Sequence, residues 1–70
     1  MVIKCTTMVS VNLKKYRKIK SLTQEVLSES ASISRDYLSE LERGKRFPRL
    51  VVVDRLAAAL DIDAYKLFMP

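Results

Sequence analysis

Histidine and tryptophan are absent from this chain of 70 residues, glycine and cysteine occur once each, and proline occurs twice. Without histidine there is no imidazole base, no Cys–His nucleophile and no Cys–His zinc site. Cys5 cannot close an internal disulfide and reads as an incidental thiol in a reducing compartment. One glycine cannot build a glycine-rich phosphate cradle, and so little glycine and proline excludes a low-complexity chain. Long apolar runs are missing too. The opening MVIKCTTMVSV is too mixed for a signal sequence, and nothing later reaches the roughly 18 apolar residues of a membrane span. The seven serines have no activating neighbour and the carboxylates are scattered, so no enzyme, cofactor or metal site is expected. Acid is also absent from the first third, where Lys4, Lys14, Lys15, Arg17, Lys18 and Lys20 all precede Glu25.

What is present is the composition of a globular domain, 49% hydrophobic and 30% charged. A chain this short forms one domain whose core supplies about 3–5 kcal/mol unaided, so a partner subunit would matter to its stability. Thirteen basic residues against eight acidic ones leave a net charge of +5. With a pI near 9.7, polyanions are the natural partners, nucleic acid first and an anionic membrane surface second.

Residues 1–10 are small and β-branched without a helical period, and are expected to form an N-terminal arm ahead of a domain over 11–70. Val9, Leu13 and Tyr16 then fall on one helical stripe opposite a lysine-rich side, which predicts a first helix from about 11 to 20 with Ile19 off the stripe. Thr23 is suited to cap a second helix, with Gln24 and Glu25 in its first turn and Val26 and Leu27 giving it a buried side. Ser30-Ala31-Ser32 ends it after two turns. Ser34 caps a third helix on which Leu38 and Leu41 repeat, and Gly44 stops that helix as a residue free to take positive φ. Two short helices joined this closely form a helix-turn-helix unit. Pro48 closes the basic loop. Val51-Val52-Val53 alone favours a strand, but Leu50, Val53, Leu56, Ala57 and Leu60 keep helical spacing around an alanine run, predicting a fourth helix over 50–60. Asp63 is expected to cap a fifth, over 64–68. The fold class is therefore all-α with five helices.

The stretches LTQEVL, ISRDYLSELERGKRFP and LAAALDI stand in order within residues 13–68. Over that span, without a gap, the chain resembles the Cro/C1-type (XRE-like) helix-turn-helix family, which implies a lambda-repressor-like DNA-binding domain. On that resemblance, Gln24 lies against the DNA backbone and braces a recognition helix over 34–43. Ser34, Arg35, Asp36, Ser39 and Glu40 take the positions facing the major groove, and Gly44-Lys45-Arg46 matches a phosphate-binding loop. Arg17 and Glu42 match an internal salt bridge. Arg49 stands where some phage repressors place an arginine near the minor groove. The family usually has glycine at Ser21, Ser32 and Asp61, and positive φ there would cost up to about 1 kcal/mol each, less for aspartate. Arg49 also replaces the usual Ser or Thr cap of helix 4, a loss of about 0.5–2 kcal/mol.

The chemistry agrees with those positions. Arg35 can fork onto guanine O6 and N7, and Ser34 and Ser39 can bond a base or a phosphate. Asp36 and Glu40 accept from cytosine N4 or adenine N6, or act by excluding a misplaced phosphate, or are only a solvated helix face. Arg43, Lys45, Arg46 and Arg49 supply sequence-blind affinity through counterion release or are simply solvated surface charge, with Thr23, Gln24 and Tyr37 as further candidate phosphate contacts. Tyr37 is equally suited to the edge of the core. Lys14, Lys15, Lys18 and Lys20 reach a backbone only if their end of helix 1 lies near the groove. Val26, Leu27, Ile33, Leu38, Leu41, Leu56 and Leu60 are core by spacing.

The resulting expectation is a cytoplasmic, bacterial or phage-encoded transcriptional regulator that binds double-stranded DNA as a homodimer on a near-palindrome. Tyr65, Leu67, Phe68 and Met69 form its candidate interface, and no membrane or small-molecule effector is involved. Restriction-modification controllers, phage or mobile-element repressors and antitoxins all fit. A protein-interaction module using the polar helix is the rival from another class. A membrane-surface helix over 11–20 is a third possibility, disfavoured by the low aromatic content.

Overall fold

Four α-helices and a short 3-10 helix follow one another in the computed structural model, which describes residues 5–70: α1 (Cys5–Ile19), α2 (Gln24–Ser30), α3 (Arg35–Glu42), α4 (Leu50–Leu60) and the 3-10 segment Ala64–Phe68. No strand occurs among the described residues. The fifth helix expected over 64–68 is thus a 3-10 turn rather than an α-helix, and Asp63 at its start makes no side-chain cap bond. Five residues are too few to stabilise an α-helix by propagation, and a tight 3-10 turn suits a segment this short.

The first helix starts at Cys5 rather than near residue 11, so residues 5–10, expected in the arm, are helical. Residues 1–4 of that arm lie outside the described residues. Long-range packing overrides the weak local helix propensity of this segment. Val9 and Ser10 are buried, and Asn12, buried as well, sends its Nδ2 to the carbonyls of Leu67 and Met69. The amide has two donors and both are used on the chain's last turn, which closes the C-terminal segment against α1.

The core joins all five elements through Leu13, Leu27, Leu38, Leu41, Leu56, Leu60 and Leu67, each fully buried, with Val53 and Ala57 beside them. Burying one such leucine contributes about 1.5–3 kcal/mol. Of the residues that are core by spacing, Val26 is not inside, and neither is Leu50, which was expected only to keep the spacing of the fourth helix. Val26 is 45% exposed and Leu50 75% exposed. Val26 precedes the buried Leu27 and is turned about 100° from it around α2, and Leu50 is the first residue of α4, beyond the edge of the core. Ile33 is only partly buried.

Every α-helix ends in the same way. Ser21, Ser32, Gly44 and Asp61 follow the four helices with φ of 57°, 58°, 73° and 56°. The next residue's N–H then reaches back five positions, from Leu22 to Arg17, Ile33 to Ser28, Lys45 to Glu40 and Ile62 to Ala57, at 2.9–3.0 Å. These are Schellman motifs, and the left-handed residue each requires is the position where glycine is cheapest. The chain places its single glycine after α3 and tolerates serine or aspartate at the other three.

Candidate nucleic-acid interface

The α2–α3 pair is set by two hydroxyl caps. Thr23 Oγ1 accepts from Val26 N at 3.1 Å and Ser34 Oγ from Tyr37 N at 3.0 Å. Each cap satisfies one of the N–H groups that a helix start leaves unpaired. On α3 the inner stripe is Leu38, Leu41 and Glu42, all buried. Ser34, Arg35 and Asp36 are exposed at the first turn, and Ser39 and Glu40 are half-buried one turn on. The five residues expected at base edges therefore lie together on the solvent side of one short helix and its cap. Four-residue spacing puts Ser39 beyond Arg35 and Glu40 beyond Asp36.

Beneath this face sits a buried carboxylate. Glu42 accepts from Arg17 Nε at 2.7 Å and Nη2 at 3.1 Å, and from Gln24 Nε2 at 3.1 Å. The Glu42 side chain is 1% exposed and that of Arg17 14%. Arg17 Nη1 also donates to the Leu22 carbonyl at 2.9 Å. One ionic group thus ties the end of α1, the start of α2 and the end of α3. Gln24, expected to brace α3, directs its amide at Glu42, the last residue of that helix.

After α3 comes the cationic loop. Arg43, Lys45, Arg46 and Arg49 are all exposed, while Pro48 is buried. Arg49 precedes α4 without a side-chain cap bond, as its residue type predicts. Arg43 Nε reaches the Ser39 carbonyl at 3.4 Å. Arg46 behaves differently: its Nε donates to Glu40 Oε2 at 3.2 Å and its guanidinium carbon stands 5.9 Å from the centre of the half-buried Tyr37 ring. Lys14, Lys15, Lys18 and Lys20 are exposed on and just after α1, with Lys15 Nζ 5.5 Å from the Tyr16 ring centre.

The candidate interface at the C-terminus needs one correction. Leu67 is fully buried within the protomer, because a 3-10 turn directs one residue in three inward. Tyr65, Phe68 and Met69 are exposed. Sequence reasoning missed Phe47, also exposed, whose ring centre is 6.3 Å from that of Phe68. An aromatic side chain next to Pro48 in an otherwise polar loop was the available signal. The Asn12 clamp and the Glu40–Arg46 pair had none, because both join residues whose proximity only the folded chain creates. Among the described residues, no group of three or more potential ligands is placed to hold a metal and no helix is long and apolar enough to cross a membrane.

Comparison with known proteins adds to this geometry. The helix-turn-helix domain family matches residues 11–69. The chain is 38% identical over 63 residues to the HTH-type transcriptional regulator y4dJ of Sinorhizobium fredii, covering 90% of this chain and 82% of that protein. It is 40% identical over 57 residues to control protein C.MunI of a Mycoplasma species, covering 80% and 77%. Among solved structures it superposes on the restriction-modification controller protein C.AhdI of Aeromonas hydrophila with a TM-score of 0.87 and 36% identity, covering 90% of this chain and 96% of that one.

Proposed function

Since this chain belongs to the Cro/C1-type helix-turn-helix family of transcriptional regulators, we propose that it binds duplex DNA sequence-specifically, as a homodimer on a near-palindromic operator, with α3 in the major groove. The observation that carries this reading is the division of α3: Leu38, Leu41 and Glu42 are buried while Ser34, Arg35 and Asp36 stand free at its start, directly ahead of a four-cation loop. An amphipathic helix so anchored offers short and long polar groups to base edges while its neighbours hold the backbone.

In this reading Arg35 forks onto a guanine, Ser34 and Ser39 bond base or phosphate, and Asp36 selects for an exocyclic amine or against a misplaced phosphate. Arg43, Lys45, Arg46 and Arg49 meet phosphates, with Thr23, Gln24 and Tyr37 at the flank. The paired carboxylate of Glu42 keeps α2 and α3 at a fixed angle, so that base and phosphate contacts form together. Tyr65, Phe68 and Met69, extended by Phe47, form the surface on which two copies meet. A dimer would place two α3 helices about one turn of DNA, roughly 34 Å, apart. The likeness to controller proteins supports a small cytoplasmic regulator governed by its own concentration rather than by an effector.

Selection of bound duplexes from a random pool tests the proposal. A consensus with two inverted half-sites is expected, preferred at least about a thousandfold over random sequence. Weak, salt-labile binding without a consensus would turn the polar face over to a protein partner instead.

A further inference from the structure

Of the four cations around the α3–α4 loop, only Arg46 has a carboxylate within 4 Å among the described residues. Its partner, Glu40, lies six residues earlier on the solvent side of α3, and both side chains keep access to solvent, Arg46 at 60% and Glu40 at 34%. The guanidinium carbon also stands 5.9 Å from the centre of the Tyr37 ring, so Arg46 lies back toward α3 while keeping one side in solvent. The bond to Glu40 uses Nε. The four N–H groups on Nη1 and Nη2 remain for another acceptor, beside the Nε that Glu40 holds.

We propose, resting on the DNA-binding reading above, that Glu40 is a positioning residue that acts through Arg46 and sharpens sequence preference by neutralising that cation. A free lysine or arginine attracts any phosphate and releases a counterion wherever it meets one. Arg46 held by Glu40 offers directed hydrogen bonds with little net charge. It rewards a phosphate at one place, the place fixed when α3 is seated in its proper register, and gives little to a duplex bound out of register. Lys45 and Arg49, unpaired among the described residues, provide general attraction. Glu40 thus limits non-specific binding without needing to touch a base.

The charge of Glu40 can be removed while its geometry stays, because glutamine keeps an oxygen to accept from Nε and has nearly the same helix propensity. The test is a salt series of binding titrations on the selected operator and on a random duplex of equal length. It uses the full chain as wild type, Glu40→Gln, Arg46→Ala and the double variant. Glu40→Gln should steepen the slope of log affinity against log salt by about 0.9, the value for one added phosphate contact. It should also tighten random-duplex binding more than operator binding. In the Arg46→Ala background the same substitution should leave the slope unchanged. The proposal is overturned if Glu40→Gln leaves the slope alone, if it steepens the slope equally without Arg46, or if it changes preference at one base pair only. A wild-type chain that holds both duplexes equally removes the DNA-recognition reading, and this inference with it.

Discussion

Replacing Glu42 with alanine should remove most of the stability of this domain. The side chain is 1% exposed and accepts three hydrogen bonds, two from Arg17 and one from Gln24. Alanine leaves the Arg17 guanidinium, itself only 14% exposed, with the Leu22 carbonyl as its remaining partner. An ion left unpaired in such a place costs about 3–5 kcal/mol. A domain of this size has about that much in total. At 4–8 °C per kcal/mol the melting temperature should drop by about 12 °C or more, followed by circular dichroism at one fixed protein concentration so that dimerisation does not shift the midpoint. The double variant Arg17→Met with Glu42→Leu removes both charges and should recover much of the loss, since apolar replacement of a buried pair is often neutral or stabilising. Gln24 is half-buried and can turn its amide to water. A Glu42→Ala chain within about 1 kcal/mol of wild type would mean that the pair behaves as an exposed surface bridge and does not hold the helix-turn-helix angle.

Three further outcomes are expected. Ser21→Gly with Ser32→Gly relieves two left-handed serines and should together add about 1 kcal/mol, raising the melting temperature by about 4–8 °C; no rise would show that the turns carry no strain. Arg35→Ala should lose about 1–3 kcal/mol of discrimination at one base position in selection experiments, and equal weakening on every sequence would refute its base contact. At the C-terminus, Leu67→Ala should destabilise the protomer by about 2–5 kcal/mol, whereas Phe68→Glu should leave the fold and shift sedimentation toward monomer. A Phe68→Glu chain that still sediments as wild type removes Phe68 from the interface.

The helix-turn-helix core was legible because its determinants are local. Thr23 and Ser34 cap the helices they precede, Leu27, Leu38 and Leu41 fall at core spacing, and Gly44 ends α3 as only a left-handed residue can. The resemblance, through the glycines that family usually has at Ser21, Ser32 and Asp61, pointed to three turns that the structure places at positive φ. What escaped were features made by residues far apart in sequence. Val9 falls on the stripe of α1, but the start of that helix at Cys5 goes with burial of Ser10 and with Asn12 meeting the C-terminal carbonyls, neither of which residues 5–10 announce by themselves. Val26 shows the same limit from the other side: an apolar residue beside a core leucine is compatible with either face until the neighbouring helices are placed.

The C-terminal segment shows how fold and assembly are linked in so small a chain. Leu67 enters the core, Asn12 holds the carbonyls on either side of Phe68, and Tyr65, Phe68 and Met69 are left outward. The proposed dimer surface is therefore no separate appendage but the outer side of a turn whose inner side completes the protomer core. Ordering that turn costs about 1–2 kcal/mol of backbone entropy per residue, an expense that Leu67 and Asn12 offset within one chain. A second copy would find the surface already formed, which favours association over a tail that must order on contact. Asn12→Asp would set a carboxylate against two carbonyl oxygens and should loosen the turn, weakening dimerisation and protomer stability together. Weakened association with an unchanged melting temperature, measured at a concentration where the protein is monomeric, would show that the two are not coupled through this residue.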